Sequence, residues 1–73
     1  MPLTYSGQSQ IDPYSFDTNH EAYDGETRVI VVISKEAVDD YGLNAALAKG
    51  SEKYDRGERQ LPGRVVVQKS DFR

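Results

Sequence analysis

The sequence contains no cysteine, so neither a disulfide nor a thiolate metal site can stabilise this chain. One histidine, His20, does not supply a convincing set of metal ligands. No stretch approaches the ~18 apolar residues of a membrane-spanning helix. The N-terminus shows no charged region followed by an apolar run, as a secretory signal would. We therefore expect a cytoplasmic protein without a cofactor, a bound metal or a membrane anchor.

The chain also lacks a strong excess of one charge. Twelve acidic residues oppose nine lysines and arginines, which leaves a net charge of −3. This total argues against a strongly basic nucleic-acid binder. The distribution is uneven, however: residues 1–48 hold two bases and eight acids, whereas residues 49–73 hold seven bases and four acids. An acidic half and a basic half are therefore expected.

The small apolar content limits the core that 73 residues can build. Leu, Ile, Val and Phe supply 16 residues, only slightly more than the ~20% below which disorder is typical. A single domain of this size buries about 60% of its unfolded surface. Without cysteine and with one histidine, oligomerisation is the remaining means of stabilisation. We therefore expect a homodimer.

Two strands are predicted in the first half of the domain. Residues 1–13 show no periodicity and are interpreted as a mobile or loosely docked arm, ahead of a single domain over residues 14–73. Residues 14–23 alternate between two faces, and the run R-V-I-V-V-I-S at 28–34 is rich in β-branched residues. Asp24-Gly25 between them is typical of a two-residue hairpin turn. In that register Glu21 faces Arg28.

Helices are predicted to follow. Ser34 is a suitable N-cap for a helix that begins at Lys35 and ends near Gly42. Asn44 can cap a second helix that runs to about Arg56, although a single helix with a kink at Gly42 is an alternative. Residues 60–63 are predicted as a turn and residues 64–69 as a third strand.

The element order β-β-α-α-β predicts an α+β fold. The simplest arrangement is a small three-stranded antiparallel sheet with one or two helices packed on one face. The apolar run at 28–34 should form the middle strand, and the third strand should lie beside it, opposite the hairpin partner. Gly50 should mark a close approach of the second helix to the sheet.

Three segments resemble a known family: V-I-S-K-E-A-V-D-D at 32–40, K-Y-D-R-G-E at 53–58 and G-R-V-V-V-Q-K-S-D-F at 63–72. Together they are similar to the small bacterial proteins grouped as domain of unknown function 1488, over about residues 14–72. The resemblance implies an α+β fold and a bacterial origin. It implies no activity and no catalytic residues.

No residue pattern indicates catalysis. His20 falls on the apolar face of its strand and is interpreted as a structural histidine. Asp39 and Asp40 are adjacent on a helix, so they diverge by roughly 100° and cannot act as a matched pair. Neither a G-x-S-x-G elbow nor a glycine-rich phosphate loop is present. We expect a protein that is not an enzyme.

Two functional hypotheses remain. The first is a protein-interaction or self-associating module, because Ile30 and Val32 are apolar where the hairpin partner offers Asn19 and Asp17. Side chains of the third strand, the N-terminal arm or another subunit could cover these two residues. The second is a weak nucleic-acid-binding accessory protein whose anion site is a basic stripe on and after the second helix. That stripe is alternatively a solvated face paired with nearby acids, or a contact for the acidic half of another subunit. Its residues are Lys49, Lys53, Arg56, Arg59 and Arg64.

Overall fold

The computed structural model describes residues 3–57 and 63–72. The described elements form one four-stranded sheet in the order β1-β2-β3-β4 and two helices, which confirms the α+β class. The sheet is mixed, because β1-β2 and β2-β3 are antiparallel whereas β3-β4 is parallel. The predicted three-stranded antiparallel sheet is therefore wrong in strand number and in the direction of the last strand. The elements are β1 (Thr4–Ile11), β2 (Thr18–Asp24), β3 (Thr27–Ile33), α1 (Lys35–Tyr41), α2 (Leu43–Asp55), β4 (Arg64–Val67) and a 3₁₀ turn (Lys69–Phe72).

The extra strand comes from the N-terminal segment that the sequence suggested was a mobile or loosely docked arm. Leu3 is buried in the core, and the Tyr5 hydroxyl donates to the Leu47 carbonyl oxygen at 2.6 Å. The pairing with β2 is irregular between Tyr5 and Ser9. Such a bulge breaks the period of two, which explains why the sequence pattern shows no strand here.

The last strand lies beside β3 and opposite β2, as predicted. It is parallel because two helices carry the chain back along the sheet before β4 begins, as a crossover connection does. The Ile30 amide donates to the Gly63 carbonyl at 2.8 Å, and the Ser34 amide donates to the Val67 carbonyl at 3.0 Å. Most of the turn predicted at 60–63 lies outside the described residues.

The β2-β3 hairpin is confirmed, but its register is displaced. Asp24 pairs with Thr27, so the two loop residues are Gly25 and Glu26 rather than Asp24 and Gly25. Gly25 has a φ of 63°, and Glu26 does not have a positive φ. Type II′ turns place glycine first in this way, whereas type I′ turns need a positive φ at both positions. The displacement shifts the partner of each residue by two positions, so every side chain keeps its predicted face.

The two helices are separate. The Ser34 hydroxyl accepts the Ala37 amide at 3.2 Å, which confirms the predicted cap of α1. Gly42 has a φ of 88° and divides α1 from α2. It also stands at the N-cap of α2, so the predicted cap at Asn44 is wrong, because α2 already begins at Leu43. Within the described chain, no helix is long and apolar enough to cross a membrane.

The core lies between the two helices and one face of the sheet. A Cβ atom at Gly50 would lie 2.7 Å from Val31 Cγ1 and 2.9 Å from the Tyr5 hydroxyl, which confirms the predicted close approach. α2 is also held at its C-terminal end, where the Tyr54 hydroxyl donates to Asp24 Oδ2 at 2.7 Å. The fully buried members of the core are Ala22, Val29, Val31, Ile33, Ala37, Ala46, Val65 and Val67.

Candidate interaction surfaces

The sheet has a second face, which we call the helix-free face. Side chains alternate along a strand, so Ile30 and Val32 point away from the helices that cover Val29, Val31 and Ile33. Val66 pairs with Val32 and lies on the same face. Ile30 and Val66 are half-buried, whereas Val32 is only 8% exposed. These three side chains form an apolar strip along the middle of the helix-free face.

Charged and polar side chains border this strip. Glu21 pairs with Ile30, and Asn19 pairs with Val32. The predicted register instead placed Asn19 opposite Ile30 and Asp17 opposite Val32. Arg28 donates to Glu21 across the diagonal at 2.9 Å. This hydrogen bond lowers the pKa of the Glu21 carboxyl and raises the pKa of the Arg28 guanidinium. The helix-free face therefore combines an apolar centre with charges of both signs.

Carboxamides line a recess on the β1 side of this face. Its volume is ≈ 390 Å³, and Ile30 forms part of its apolar wall. On the other side, β4 contributes the exposed Arg64, which pairs with Ile30. A polar rim around a small apolar centre is the usual composition of a protein interface. The recess is lined by Gln8, Ser9, Gln10, Asn19, Glu21, Arg28 and Ile30.

The structure does not bring the predicted anion-binding residues together as a row of unpaired cations. Glu52 binds both Lys49 and Arg56, with N–O distances of 3.3 Å in each pair. Arg64 lies on β4 rather than on the helix, and Arg59 is outside the described residues. The Lys49 ammonium also stands 5.6 Å from the centroid of the Phe72 ring. These contacts favour the interpretation of a helix face paired with nearby acids.

Lys53 has an internal role that the sequence did not reveal. Its side chain is 11% exposed, and its ammonium donates to the Val66 carbonyl at 2.6 Å and to Asp71 Oδ2 at 2.9 Å. Asp71 also accepts the Gln68 amide at 2.7 Å. The Gly63 and Val67 carbonyls accept amides of β3 and therefore point toward it. Carbonyls alternate in direction along a strand, so the Val66 carbonyl points toward the outer edge of the sheet.

This Lys53–Asp71 pair therefore caps the outer edge of β4. Burial alone would raise the pKa of Asp71, but the hydrogen bonds from the Gln68 amide and the Lys53 ammonium outweigh burial and lower that pKa. Natural sheets protect their edges with such charged groups, because unpaired backbone groups invite pairing with another chain. No short sequence motif links Lys53 to a partner 18 residues away.

A second exposed surface lies in the loop between β1 and β2. We call Ile11, Tyr14 and Phe16 the aromatic tip; their exposed fractions are 66%, 93% and 58%. The sequence placed Tyr14 and Phe16 in a strand, but β2 begins only at Thr18. The reason is local: Asp12 Oδ1 accepts the amides of Tyr14 at 2.8 Å and Ser15 at 3.3 Å, which forms a turn in place of the strand.

Backbone hydrogen bonds close the same loop. The Asp12 amide donates to the Asp17 carbonyl at 2.8 Å, and the Phe16 amide donates to the Asp12 carbonyl at 2.9 Å. Phe16 has a φ of 63° and is the one non-glycine residue with a positive φ among residues 3–57 and 63–72. A left-handed conformation costs roughly 1–2 kcal/mol for such a residue. The loop is therefore both ordered and strained.

His20 lies where the sequence placed it, on the buried side of β2. Its side chain is almost fully buried, and Nε2 is 2.9 Å from the Thr18 hydroxyl. Burial lowers the pKa of this imidazole, which favours the neutral form. In the part of the chain that the structure describes, no group of three His, Cys, Asp or Glu side chains is placed to hold a metal ion.

Another recess lies near the carboxyl ends of β3 and β4 and has a volume of ≈ 510 Å³. Two lysines on its wall bind acids of α1: Lys35 contacts Asp39, and Lys69 contacts Asp40 at 2.8 Å. Asp39 and Asp40 are thus exposed on α1, and each binds a different lysine. The recess is lined by Ser15, Asp17, Ser34, Lys35, Glu36, Gln68, Lys69 and Ser70.

Comparison with known proteins gives no relative: no family model matches the chain, and neither a curated protein nor a solved structure matches it. The resemblance to the family of domain of unknown function 1488 therefore stays a prediction. The surfaces described above are the basis for assigning a function.

Proposed function

We propose that this protein is a non-catalytic interaction module that works as a homodimer through its helix-free face. The observation that carries the proposal is the apolar strip of Ile30, Val32 and Val66, which no described helix covers. Val32 is already buried in the protomer, so a second copy would mainly cover the half-buried Ile30 and Val66, at about 25 cal/mol per Å² of apolar surface removed from water. Two sheets packed face to face, about 10 Å apart, are a common arrangement.

The charges on this face favour a second copy as the occupant. Glu21 lies on one side of the strip, and Arg64 lies on the other. A two-fold axis between the two faces and parallel to β3 brings Glu21 of one protomer toward Arg64 of its partner, and the reverse. A face with both signs of charge can be complementary to itself.

The size of the molecule also supports dimerisation. It measures 30 × 27 × 20 Å, so a broad face is comparable with the ~800 Å² that each partner buries in a stable interface. A domain of 73 residues builds only a small core by itself. Burial of a second sheet face would therefore add substantially to its stability.

Light scattering behind size exclusion, at low and at high salt, tests the proposal. We expect a wild-type dimer that persists in high salt, since apolar burial dominates its interface. Ile30→Glu places a charge in the strip and should give a folded monomer. Leu43→Glu is the matched control: it places the same charge at an exposed apolar position on α2, away from the strip, and should remain dimeric.

Arg64→Glu is a second variant of the proposed interface. Arg64 is exposed, so this substitution buries no charge in the protomer, whereas Ile30 is half-buried. It should weaken the dimer most strongly at low salt, where charge repulsion is least screened. Circular dichroism establishes that each variant is folded. A monomeric wild type at millimolar concentration, or an Ile30→Glu variant as dimeric as Leu43→Glu, would contradict the proposal.

A further inference from the structure

We propose that the aromatic tip is a second binding surface, and that it receives a basic amphipathic peptide segment of a partner protein. This goes beyond the homodimer, because the tip and the apolar strip lie on different parts of the molecule. Ile11 pairs with Thr18, and Thr18 shares the face of His20 and Ala22, which is the helix-covered face. Occupation of one surface therefore leaves the other accessible.

The first argument is the concentration of exposed apolar side chains. Of the five large hydrophobic residues that are exposed among those described, three fall within residues 11–16. Single exposed apolar residues are ordinary, whereas a local group marks an interaction site. Tyrosine, which is 93% exposed at position 14, is one of the residues enriched at interface hot spots.

The second argument is that the loop is already ordered. Asp12 alone accepts three backbone amides, those of Tyr14, Ser15 and Phe16, and its own amide donates to the Asp17 carbonyl. Binding to a flexible loop would first have to order it, at a cost to affinity. Here the backbone that carries the two rings is already ordered in the folded chain, so binding would have to order only the side chains.

The third argument is the strain at Phe16. Glycine adopts a φ of 63° without a steric penalty, so stability does not account for phenylalanine at this position. Strained residues concentrate at functional sites, where the rest of the structure holds them in place. Phe16 therefore has a property expected of a side chain that is displayed for contact.

Charge identifies the chemistry of the partner. Asp12 and Asp17 lie in the loop, and Glu36 lines the recess beside it. The two lysines of that recess, Lys35 and Lys69, are bound by Asp39 and Asp40, so acids outnumber bases around the tip. A nucleic acid or an anionic membrane would be repelled by this field. A peptide that alternates aliphatic or aromatic residues with lysine or arginine satisfies both features, since its cations can also stack on the Tyr14 ring.

A displayed library of random peptides, selected on the 73-residue chain, tests this inference because it samples basic, acidic and neutral peptides at once. We expect the selected peptides to combine apolar residues with lysine or arginine. In fluorescence anisotropy the double variant Tyr14→Ser, Phe16→Gly should bind them at least about tenfold more weakly, because two anchors are lost. Glycine at position 16 keeps the loop geometry, and Leu43→Ser is the control that should bind like the wild type.

The same measurements separate this inference from the proposed dimer. Ile30→Glu should become monomeric yet bind the peptides unchanged. Three results would overturn the inference: no selected sequences, acidic selected sequences, or equal binding by the wild type and the double variant. Loss of the dimer in the double variant would also overturn it, since the tip would then be a contact between copies of this chain.

Discussion

Replacement of Lys53 by methionine tests the edge cap most directly. Methionine retains much of the apolar stem but removes the ammonium that binds the Val66 carbonyl at 2.6 Å and Asp71 at 2.9 Å. The Val66 carbonyl then lacks its side-chain donor. Asp71 keeps the hydrogen bond from the Gln68 amide but loses its counter-charge. The variant should therefore be less stable than the wild type.

The structure allows the magnitude to be worked out. Hydrogen bonds to charged groups contribute about 1.5–3 kcal/mol each, and removal of one partner from a fully buried pair costs about 3–5 kcal/mol. The pair is not fully buried, since the Lys53 and Asp71 side chains are 11% and 22% exposed. We therefore expect a loss of about 2–3 kcal/mol, which for a domain of this size lowers Tm by roughly 10–20 °C.

Urea and thermal unfolding, followed by circular dichroism, provide the measurement. Lys49→Met is the matched control: it is one helical turn earlier, and its ion pair with Glu52 is more exposed. Its loss should be below about 1 kcal/mol. Light scattering should also show that Lys53→Met forms species larger than the wild-type protein as the concentration rises, through the uncapped edge of β4. Equal stability of the two variants would refute the assignment of Lys53 as a structural ammonium.

Three further predictions concern the core and the response to pH. Gly50→Ala should lower the free energy of unfolding in urea by about 1–3 kcal/mol, because the new Cβ would lie 2.7 Å from Val31 Cγ1. Alanine favours helix more than glycine does, so a gain in stability would contradict this packing argument. Burial lowers the pKa of His20, so the unfolded chain is protonated at a higher pH than the folded chain. The free energy of unfolding should therefore fall as the pH drops from 7 toward 5, and this fall should be smaller in His20→Asn. The net lowering of the Asp71 pKa gives stability that is present above the unfolded value of about 3.9 and lost in more acidic solution; acid titration of Asp71→Asn should show a smaller loss.

Side-chain faces were predictable from the sequence, whereas strand partners were less so. The alternation along β2 and β3 fixes which side chains share a face, and this survives any shift by an even number of residues. The position of the two-residue turn, at Asp24-Gly25 or at Gly25-Glu26, decides the exact pairs, and both positions place a positive φ at Gly25. Glu21 and Arg28 still meet, because diagonal neighbours lie within reach of long side chains.

The errors in strand number and direction have local causes. Tertiary contacts of Leu3 and Tyr5 hold β1, and its bulge removes the alternation by which a strand is recognised. The parallel direction of β4 depends on where the helices end in space, which periodicity does not encode. The helix-free face was predicted through Ile30 and Val32, but the aromatic tip was not, since Tyr14 and Phe16 fit the period of a strand.

The two edges of the sheet explain why this module would dimerise through a face rather than by edge pairing. On β4, Lys53 and Asp71 satisfy outward backbone groups. On β1, the irregular segment between Tyr5 and Ser9 disrupts the ladder that an added strand would need. The half-buried strip lies on a face of the sheet, and the exposed tip lies in the loop between β1 and β2. A face-to-face dimer would carry two tips, so a partner with two basic segments would gain affinity from the effective concentration of the second.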